Sequence, residues 1–341
     1  MSQHTLTSPS KKQHSQTPEE SYQEKVETDV HEVTYSVIIP HYDIPQLLSR
    51  CLQSIPIRKD IQIIVVDDCS PNWHSYYNSI PELAQVNVEH YSLPQRGGAG
   101  AARNEGLKYA RGKWLLFADA DDFYEHNAWT FLDKHREDNA DIVYYCHKNV
   151  LSDNILIERT RCYEFNDIMK SDKPIEEKEK FFRYRHNVPW AKMIRRDFVE
   201  KNNLKYEEIE YSNDIIFNIK AGCLAHQVKL VDEPIYVLTE RIGSLTSGNC
   251  QTIEELLIRA KAHIRMQAEI ERFGYFKCIP AIWFLPTLFH RDLSAFCSAI
   301  KYCKKKGLSM QQIFYEMSNK VRRREIPLLW FLFKIATITT K

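Results

Sequence analysis

The stretch from residue 113 to residue 122 reads KWLLFADADD. Five apolar residues, 114–118, stop abruptly at three carboxylates in four positions, Asp119, Asp121 and Asp122. A short apolar run with polar ends is typical of a strand buried on both faces, as in a parallel sheet. Ligands of open α/β sheets bind at the carboxyl ends of the strands. The stretch therefore indicates either a site for a hard divalent cation or an acidic turn that caps the next helix.

Two earlier strand patterns also end in aspartate. One apolar run, residues 35–40, is followed by Asp43, and a β-branched run ends at Asp67 and Asp68. Helical patterns separate these strands, and such alternation predicts crossover units and a mostly parallel sheet. Since parallel strands end at the same edge, we expect carboxylates from three strands to meet there. Any one of them alone could be a helix cap.

Composition narrows the class of protein. Lys and Arg number 46 against 45 Asp and Glu, so charge gives no argument for a nucleic-acid partner, and we expect none. The nine cysteines are scattered without metal-like spacing, which favours reduced thiols in the cytoplasm. The amino-terminal residues show no apolar core of a secretory signal, and the chain has no apolar run long enough to span a bilayer.

A glycine-rich segment, RGGAGAARNEG at residues 96–106, precedes the strand predicted at 114–118. A dinucleotide-binding fingerprint would follow the first strand and would have Gly or Ala where Arg103 stands, so the pattern does not fit. A Walker loop is excluded because no Gly-Lys-Ser/Thr closes the run. We interpret the glycines as allowing close backbone approach and place Arg103 near a bound anion.

The alternation fades after residue 146. We expect an insertion over 151–187 with a candidate hairpin and solvated surface, a helix from about 192 to 202, and two short strands at 228–231 and 235–238. From about residue 252 onward the pattern is helical.

The tail, residues 301–341, carries ten Lys or Arg against two acidic residues and includes an aromatic, apolar stretch. This composition favours either peripheral contact with an anionic membrane surface or a final helix that packs on the preceding domain. We expect the protein to be cytoplasmic, with the membrane contact on the cytoplasmic face as one possibility.

Four segments together resemble the opening of the family 2 glycosyltransferases. They are SVIIPHYD at 36–43, VVDDCS at 65–70, ARNEG at 102–106 and FADADD at 117–122. Their order and spacing agree with the family. The similarity continues more loosely through WAK at 190–192, NDIIF at 213–217 and RIGSLT at 241–246.

This resemblance implies a GT-A fold, a Rossmann-like, mostly parallel mixed sheet flanked by helices, with a helical C-terminal extension. It implies transfer of a hexosyl or N-acetylhexosaminyl group from a nucleotide sugar to a saccharide or glycolipid acceptor, with inversion. UDP is our default nucleotide because it is common among similar enzymes. The implied organisation is a disordered segment at 1–33, a GT-A domain at 34–247 with a donor half at 34–146 and an acceptor half at 147–247, and a helical region at 248–341.

The resemblance also assigns roles by position. Asp121 would hold a divalent metal, Mn²⁺ or Mg²⁺, on the donor diphosphate, with Asp119 near the ribose and Asp122 in support. Asp214 would be the general base. The remaining donor contacts implied are Pro40, Tyr42, Asp43, Asp68, Arg103, Ala120, Arg241 and Ser244.

One departure from the family concerns the base. Asn213 stands where the family usually has Glu, so Asp214 has a neutral neighbour and its pKa should rise less than in a carboxylate pair. Two other classes stay open. A metal-dependent nucleotidyltransferase would place a glycine-rich basic loop after the first strand, where this chain has HYDIP at 41–45. A catalytically silent nucleotide-sugar-binding or scaffold subunit would bind the donor without transfer.

Overall fold

The structure, a computed structural model, describes residues 32–77, 79–241, 252–275, 284–309, 311 and 313. Its first part alternates strands with helices, as the sequence predicts. The elements are β1 (Tyr35–His41), α1 (Pro45–Gln53), β2 (Ile61–Asp67), α2 (Trp73–Tyr77), a 3₁₀ helix (Pro81–Ala84), β3 (Val88–Ser92), α3 (Gly98–Tyr109) and β4 (Trp114–Phe117).

These four strands pair in the order β3-β2-β1-β4, and every pair is parallel. β1 and β2 are buried along their whole length, as their apolar sequences require. The register sets His41 opposite Asp67 and Ile38 opposite Phe117, so β1, β2 and β4 end at one edge. The acidic residues that follow them therefore share that edge.

The second part of the chain extends the same sheet with mixed directions. Its elements are β5 (Phe123–Tyr124), α4 (Ala128–Asp133), β6 (Ile142–Leu151), β7 (Asn154–Glu158), α5 (Glu164–Lys170), α6 (Ile175–Arg185), β8 (Lys192–Arg195), α7 (Arg196–Lys201), α8 (Ile215–Leu224) and β9 (Val228–Glu240). The order continues β4-β8-β6-β9-β5, and β7 pairs with β6. β8 is antiparallel to both neighbours, whereas β6 and β9 are parallel. The predicted α/β fold class, a mostly parallel mixed sheet flanked by helices, is confirmed.

The strand β8 was not predicted; the sequence pattern led directly into the following helix. The strand is only four residues long, and it begins with Lys192, a residue usually exposed. Lys192 is nevertheless buried in this structure. The apolar pattern of a buried strand is broken at this lysine, because lysine is ordinarily a surface residue.

Two strands predicted at 228–231 and 235–238 are one strand, β9, with an irregularity between them. Val231 pairs with Tyr145 and Pro234 pairs with Cys146, so Asp232 and Glu233 are extra residues on β9. A second shift follows at once, since the next pair joins Tyr236 to His147. The interruption that suggested two strands is therefore a bulge within one strand.

The prediction of a solvated insertion at 151–187 is wrong in part. This segment contains β7, α5 and α6, and it contributes Phe165 and Phe182 to the main core. The charged residues occupy the outer side of α6, and the apolar positions at helical spacing are the signal that the high charge obscured.

The helical C-terminal part contains α9 (Ile253–Arg272), α10 (Leu285–Arg291) and α11 (Leu293–Lys305). The hydroxyl of Thr252 caps α9 by accepting a hydrogen bond from the N–H of Glu255 at 3.0 Å. Side chains of α9 pack with α10 and α11, and another set packs with α8; the second cluster comprises Ile215, Ile216, Ile219, Ala262, Met266 and Ile270.

Several sequence predictions fall outside the described residues. These are the disordered segment up to residue 31, the domain boundary between 247 and 248, and the tail beyond 313. Among the residues that the structure does describe, no helix combines the length and apolar character needed to cross a membrane.

Candidate active site

The acidic turn after β4 is fastened to β9 by its last carboxylate. Asp122 is buried; its Oδ1 accepts a hydrogen bond from the N–H of Thr239 at 2.7 Å, and its Oδ2 from the hydroxyl of Tyr236 at 2.9 Å. The same hydroxyl accepts a hydrogen bond from the N–H of Asp119 at 2.9 Å. Burial, then the charges of Asp121 and Asp119, raise the pKa of Asp122 well above its ordinary value. Asp122 is thus an internal fastener of the turn.

The backbone of Asp121 is held from two sides. Its carbonyl oxygen accepts hydrogen bonds from Arg50 at 2.6 Å and from the hydroxyl of Thr239 at 2.7 Å. Its carboxylate Oδ2 lies 3.3 Å from Nε of Arg241. Burial and the charge of Asp119 raise the pKa of Asp121, while Arg241 acts in the opposite direction. The charged form of this carboxylate is therefore disfavoured by burial and by Asp119 and favoured by Arg241.

This pair of carboxylates fits a divalent cation that also binds a ligand. Within the described residues, no group of three or more His, Cys, Asp and Glu could form a complete protein cage. Mg²⁺ usually takes one or two carboxylates together with substrate phosphates and water, and it does not require such a cage. A cation beside Asp121 would remove the repulsion that Asp119 exerts on it.

Arg103 joins the acidic turn to a distant part of the chain. It is buried on α3; its Nη2 donates to Oδ1 of Asp119 at 2.5 Å and its Nη1 donates to Oδ1 of Asn213 at 3.0 Å. Its guanidinium also lies over the ring of Tyr206, 5.2 Å from the centroid. An arginine that donates one hydrogen bond to Asp119 and another to Asn213 fixes the spacing between the end of β4 and the residue before Asp214.

Asp214 stands at the start of α8, where a capping role is the ordinary expectation for aspartate. Its side chain accepts no capping hydrogen bond from the described helix, so the carboxylate is not consumed by that role. Burial raises the pKa of Asp214, Arg103 lowers it, Asp119 raises it and Lys192 lowers it. The structure thus brings Asp214 into the electrostatic neighbourhood of Arg103 and Asp119.

Lys192 lies near Asp214, and the sequence did not predict it as part of the site. Its Nζ lies 3.2 Å from Nδ1 of the buried His186. Burial lowers the pKa of Lys192 well below its ordinary value, and the nearby Asp214 offsets part of that shift. The Trp-Ala-Lys motif at 190–192 was the available signal, but its position suggested only the approach to a helix.

The glycine-rich helix α3 allows the segment before Asp214 to approach closely. A Cβ added to Gly100 would lie 2.1 Å from the carbonyl oxygen of Glu207 and 3.1 Å from Cβ of Asn213. Beside it, the amide of Asn104 pairs with the backbone of Tyr206, accepting from the N–H at 2.8 Å and donating to the C=O at 3.0 Å. We call residues 205–214 the base segment.

Replacing Gly100 by Ala is expected to destabilise the fold by about 1–3 kcal/mol, because the new methyl group meets a backbone carbonyl that cannot rotate away. Chemical denaturation measures the change. Gly106→Ala, on the same helix, is the matched comparison and should cost less, since its methyl group would meet a side-chain methyl of Ile38 on β1 at 2.6 Å and not a backbone carbonyl. Equal stability of the two variants would show that the base segment accommodates the added group.

The residues predicted for the nucleoside side lie around the ends of β1 and β2. Pro40 is within buried β1, and the ring of Tyr42 lies 4.1 Å beneath the guanidinium of Arg96. Asp43 has a φ of 52°; its N–H donates to the hydroxyl of Ser70 at 2.8 Å, and its carboxylate accepts from the hydroxyl of Tyr76.

Asp68 has a local use that the sequence did not reveal. Its two carboxylate oxygens accept hydrogen bonds from the N–H groups of Gly97 and Gly98 at 2.6 and 2.9 Å, at the start of α3. Its predicted contact with base or ribose stays a prediction, which would use the remaining lone pairs. Ala120 has a buried methyl group and offers only its backbone. Ser244 lies outside the described residues, whereas Arg241 follows the end of β9.

The sequence also did not reveal a buried set of hydrogen bonds where β1 and β2 end, formed by His41, Asp67 and Ser70. Nδ1 of His41 lies 3.0 Å from Oδ1 of Asp67, and Nε2 of His41 accepts from the N–H of Ile44 at 3.2 Å. Ser70 donates to Asp67 through its N–H at 2.8 Å and its hydroxyl at 2.5 Å. Burial alone would raise the pKa of Asp67, but hydrogen bonds from His41 and Ser70 outweigh it and lower the pKa. This group shapes the two loops that carry Asp43 and Asp68.

Solved structures with the same fold define the class. A crystal structure of Staphylococcus aureus TarS 1–349 with UDP-GlcNAc superimposes with a TM-score of 0.58 at 19% identity, covering 79% of this chain and 81% of that one. The mannosyltransferase PcManGT from Pyrobaculum calidifontis, solved with GDP-Man and Mn²⁺, gives a TM-score of 0.52 at 14% identity and covers 90% of this chain and 84% of that one. The sheet and these likenesses define a GT-A fold.

Sequence comparison gives the family. A family model described as "Glycosyl transferase family 2" matches residues 36–202. Residues 36–202 of the chain belong to glycosyltransferase family 2.

Named relatives agree. The chain is 28% identical over 221 residues to the uncharacterized glycosyltransferase EpsJ of Bacillus subtilis, covering 62% of each protein. It is 27% identical over 242 residues to the cholesterol galactosyltransferase of Borreliella burgdorferi, covering 65% of this chain and 64% of that protein. The similarity thus spans less than two thirds of the length of these relatives.

Proposed function

We propose that this chain transfers a hexosyl or N-acetylhexosaminyl group from a nucleoside-diphosphate sugar to a hydroxyl group of a saccharide or glycolipid, with inversion at the anomeric carbon. The observation that carries the proposal is the bridge of Arg103 between Asp119 and Asn213, which holds an acidic strand end beside Asp214. UDP is the proposed nucleotide, supported by the neighbour that was solved with UDP-GlcNAc. The relatives named as a cholesterol galactosyltransferase and a poly(ribitol-phosphate) N-acetylglucosaminyltransferase support the acceptor class.

Asp214 is the proposed general base. Its carboxylate takes the proton of the acceptor hydroxyl while that oxygen bonds to the anomeric carbon. The bond from the anomeric carbon to the diphosphate oxygen breaks, and the electron pair leaves with the nucleoside diphosphate. A single displacement of this kind inverts the anomeric centre and requires no covalent intermediate with the protein.

The opposite side of the proposed site would hold the donor. Asp121, with Asp119 beside it, would hold Mn²⁺ or Mg²⁺, which when bound would supply Lewis-acid neutralisation of the diphosphate. Arg241, whose Nε lies 3.3 Å from Oδ2 of Asp121, would contact the same phosphates. Tyr42, whose ring lies under Arg96, and Asp43 would contact base and ribose.

Transfer is expected to fall as the pH is lowered through the pKa of Asp214. The base must be ionised, and burial holds this pKa above its ordinary value of 3.8, so the acidic limb of the profile should lie above that value. The measurement is kcat against pH at saturating donor and metal, which separates Asp214 from loss of metal at Asp121. A profile that is flat down to pH 3.8 would remove Asp214 from proton transfer.

The deciding experiment incubates the full chain with a panel of nucleotide sugars, Mn²⁺ or Mg²⁺, and saccharide or lipid-linked acceptors. Release of a nucleoside diphosphate together with a glycosylated acceptor supports the proposal. A parallel incubation with a nucleoside triphosphate and a sugar phosphate tests the rival class, and release of pyrophosphate there would indicate a nucleotidyltransferase. Donor binding without turnover across the whole panel would indicate a catalytically silent binding subunit.

A further inference from the structure

Helix α9 reaches the base segment through an ion pair. Nε of Arg265 lies 2.6 Å from Oε1 of Glu207, and Nη2 of Arg265 donates to Oε2 at 2.9 Å. Both side chains are largely buried, with 20% and 23% of their surface exposed. Nη1 of Arg265 also donates to the hydroxyl of Tyr302 on α11 at 3.4 Å. The hydrogen bond from Nη2 and the close charge contact at Nε together hold Glu207 against α9.

Glu207 is also hydrogen-bonded to the residue that precedes the proposed base, Asp214. The N–H of Glu207 donates to the carbonyl oxygen of Asn213 at 3.1 Å, which closes the base segment immediately before Asp214. The side chain of Asn213 accepts from Arg103, and Arg103 donates to Asp119. A shift of Glu207 would therefore be passed to the residue beside the proposed base and to the arginine that orients it.

Helix α9 contacts the chain on both sides of Asp214. Before Asp214, the guanidinium of Arg259 lies 4.9 Å from the ring centroid of Tyr211. After Asp214, residues of α9 pack with the first turns of α8, including the contact cluster of Ile215 and Met266. The base segment and α8 are thus supported by one helix that lies beyond the residues 36–202 that match the family.

We propose that Arg265 is a positioning residue for Asp214, and that the C-terminal helical region thereby completes the active site. The inference rests on the proposed function, since it assigns Arg265 to the geometry of that same base. Removing the guanidinium would leave a largely buried Glu207 carboxylate without its partner, which is costly enough to displace the segment. Arg265 touches no substrate in this proposal; it acts through Glu207 and Asn213.

The test compares Arg265→Gln with Arg272→Gln on the same helix. Arg272 is 71% exposed and pairs with Glu269, so its loss removes a surface ion pair only. Arg265→Gln is expected to lower kcat by about 10- to 100-fold, the usual cost of misplacing a catalytic group by about an ångström. Its Kd for UDP in Mn²⁺ should change by less than about threefold. Arg272→Gln should leave both values unchanged.

Amide hydrogen exchange gives a readout that needs no activity. Exchange at residues 205–214 should accelerate in Arg265→Gln, with β1 and β4 unchanged. Arg265→Lys should recover part of kcat, and the exchanged pair Glu207→Arg with Arg265→Glu should recover more than either single variant. If Arg265→Gln does not fold, the lysine variant and the exchanged pair carry the comparison. Wild-type kcat and wild-type exchange in Arg265→Gln would overturn the inference.

The outcomes also separate this inference from the proposed function. If the wild-type chain transfers no sugar from any donor while exchange at 205–214 responds as expected, the proposed function fails and the contact still positions Asp214. If the wild-type chain is active and Arg265→Gln matches it in kcat and exchange, the positioning role fails alone.

Discussion

Asp214→Asn is expected to lower the rate of sugar transfer by about 10²–10⁴-fold, the range usually lost with a general base. Asparagine keeps the shape of the side chain but cannot accept the proton of the acceptor hydroxyl. The Kd for UDP should stay within about threefold, because Asp214 faces the acceptor side in the proposed mechanism. Initial rates of transfer and calorimetric titration with UDP measure the two quantities.

The fold should survive this change. Burial raises the pKa of Asp214, which means that the charged form is disfavoured in the folded protein, and a neutral amide removes that cost. Asp153→Asn, on the exposed turn between β6 and β7, is the matched control and should keep the wild-type rate. Near-normal transfer by Asp214→Asn would exclude Asp214 as the base.

Asp121→Ala is expected to abolish the part of UDP affinity that depends on Mn²⁺. The loss should be at least about tenfold, or 1.4 kcal/mol, because this carboxylate is the proposed protein ligand of the cation. Calorimetry with UDP in Mn²⁺ and again in EDTA separates the metal-dependent part of binding. Titration of Mn²⁺ alone provides a second readout that does not involve turnover.

The stability of Asp121→Ala should change little or rise, since Asp119 repels Asp121 while the backbone of that residue makes the structural hydrogen bonds. The wild-type chain in EDTA is the control and should resemble the variant. An unchanged difference between Mn²⁺ and EDTA in the variant would refute the assignment of Asp121.

The parallel half of the sheet was predictable because its strands are buried on both faces. β1 and β2 are continuous apolar runs, and such runs leave little choice between surface and core. β8 could not be predicted in the same way, because it begins with the buried Lys192. β5, with two residues, is too short to give a pattern. A hairpin near residue 151 was allowed by the sequence, and β6 and β7 form one, but surface charge obscured the helices α5 and α6.

The residues of the candidate site could be predicted from the sequence, but their hydrogen-bond partners could not. The carboxylates at 119, 121 and 214 could be named from motifs, but their hydrogen bonds depend on tertiary structure. Asn213 shows the limit most clearly: its sequence suggested a missing charge beside the base, and the structure shows its amide oxygen bound to Arg103. The pairing of Glu207 with Arg265 joins residues with no sequence signal in common.

The irregular stretch of β9 makes the number of residues between Val231 and Tyr236 a matter of odd and even. Between Val231 and Tyr236 the strand gains three residues over its partner β6, two at the first shift and one at the second. Successive side chains of a strand alternate between faces. Loss or gain of a single residue here would turn the side chain of Tyr236 away from Asp122, whereas a change of two would restore it. Length variation in this short stretch is therefore constrained by parity, although it lies far along the chain from the turn that it serves.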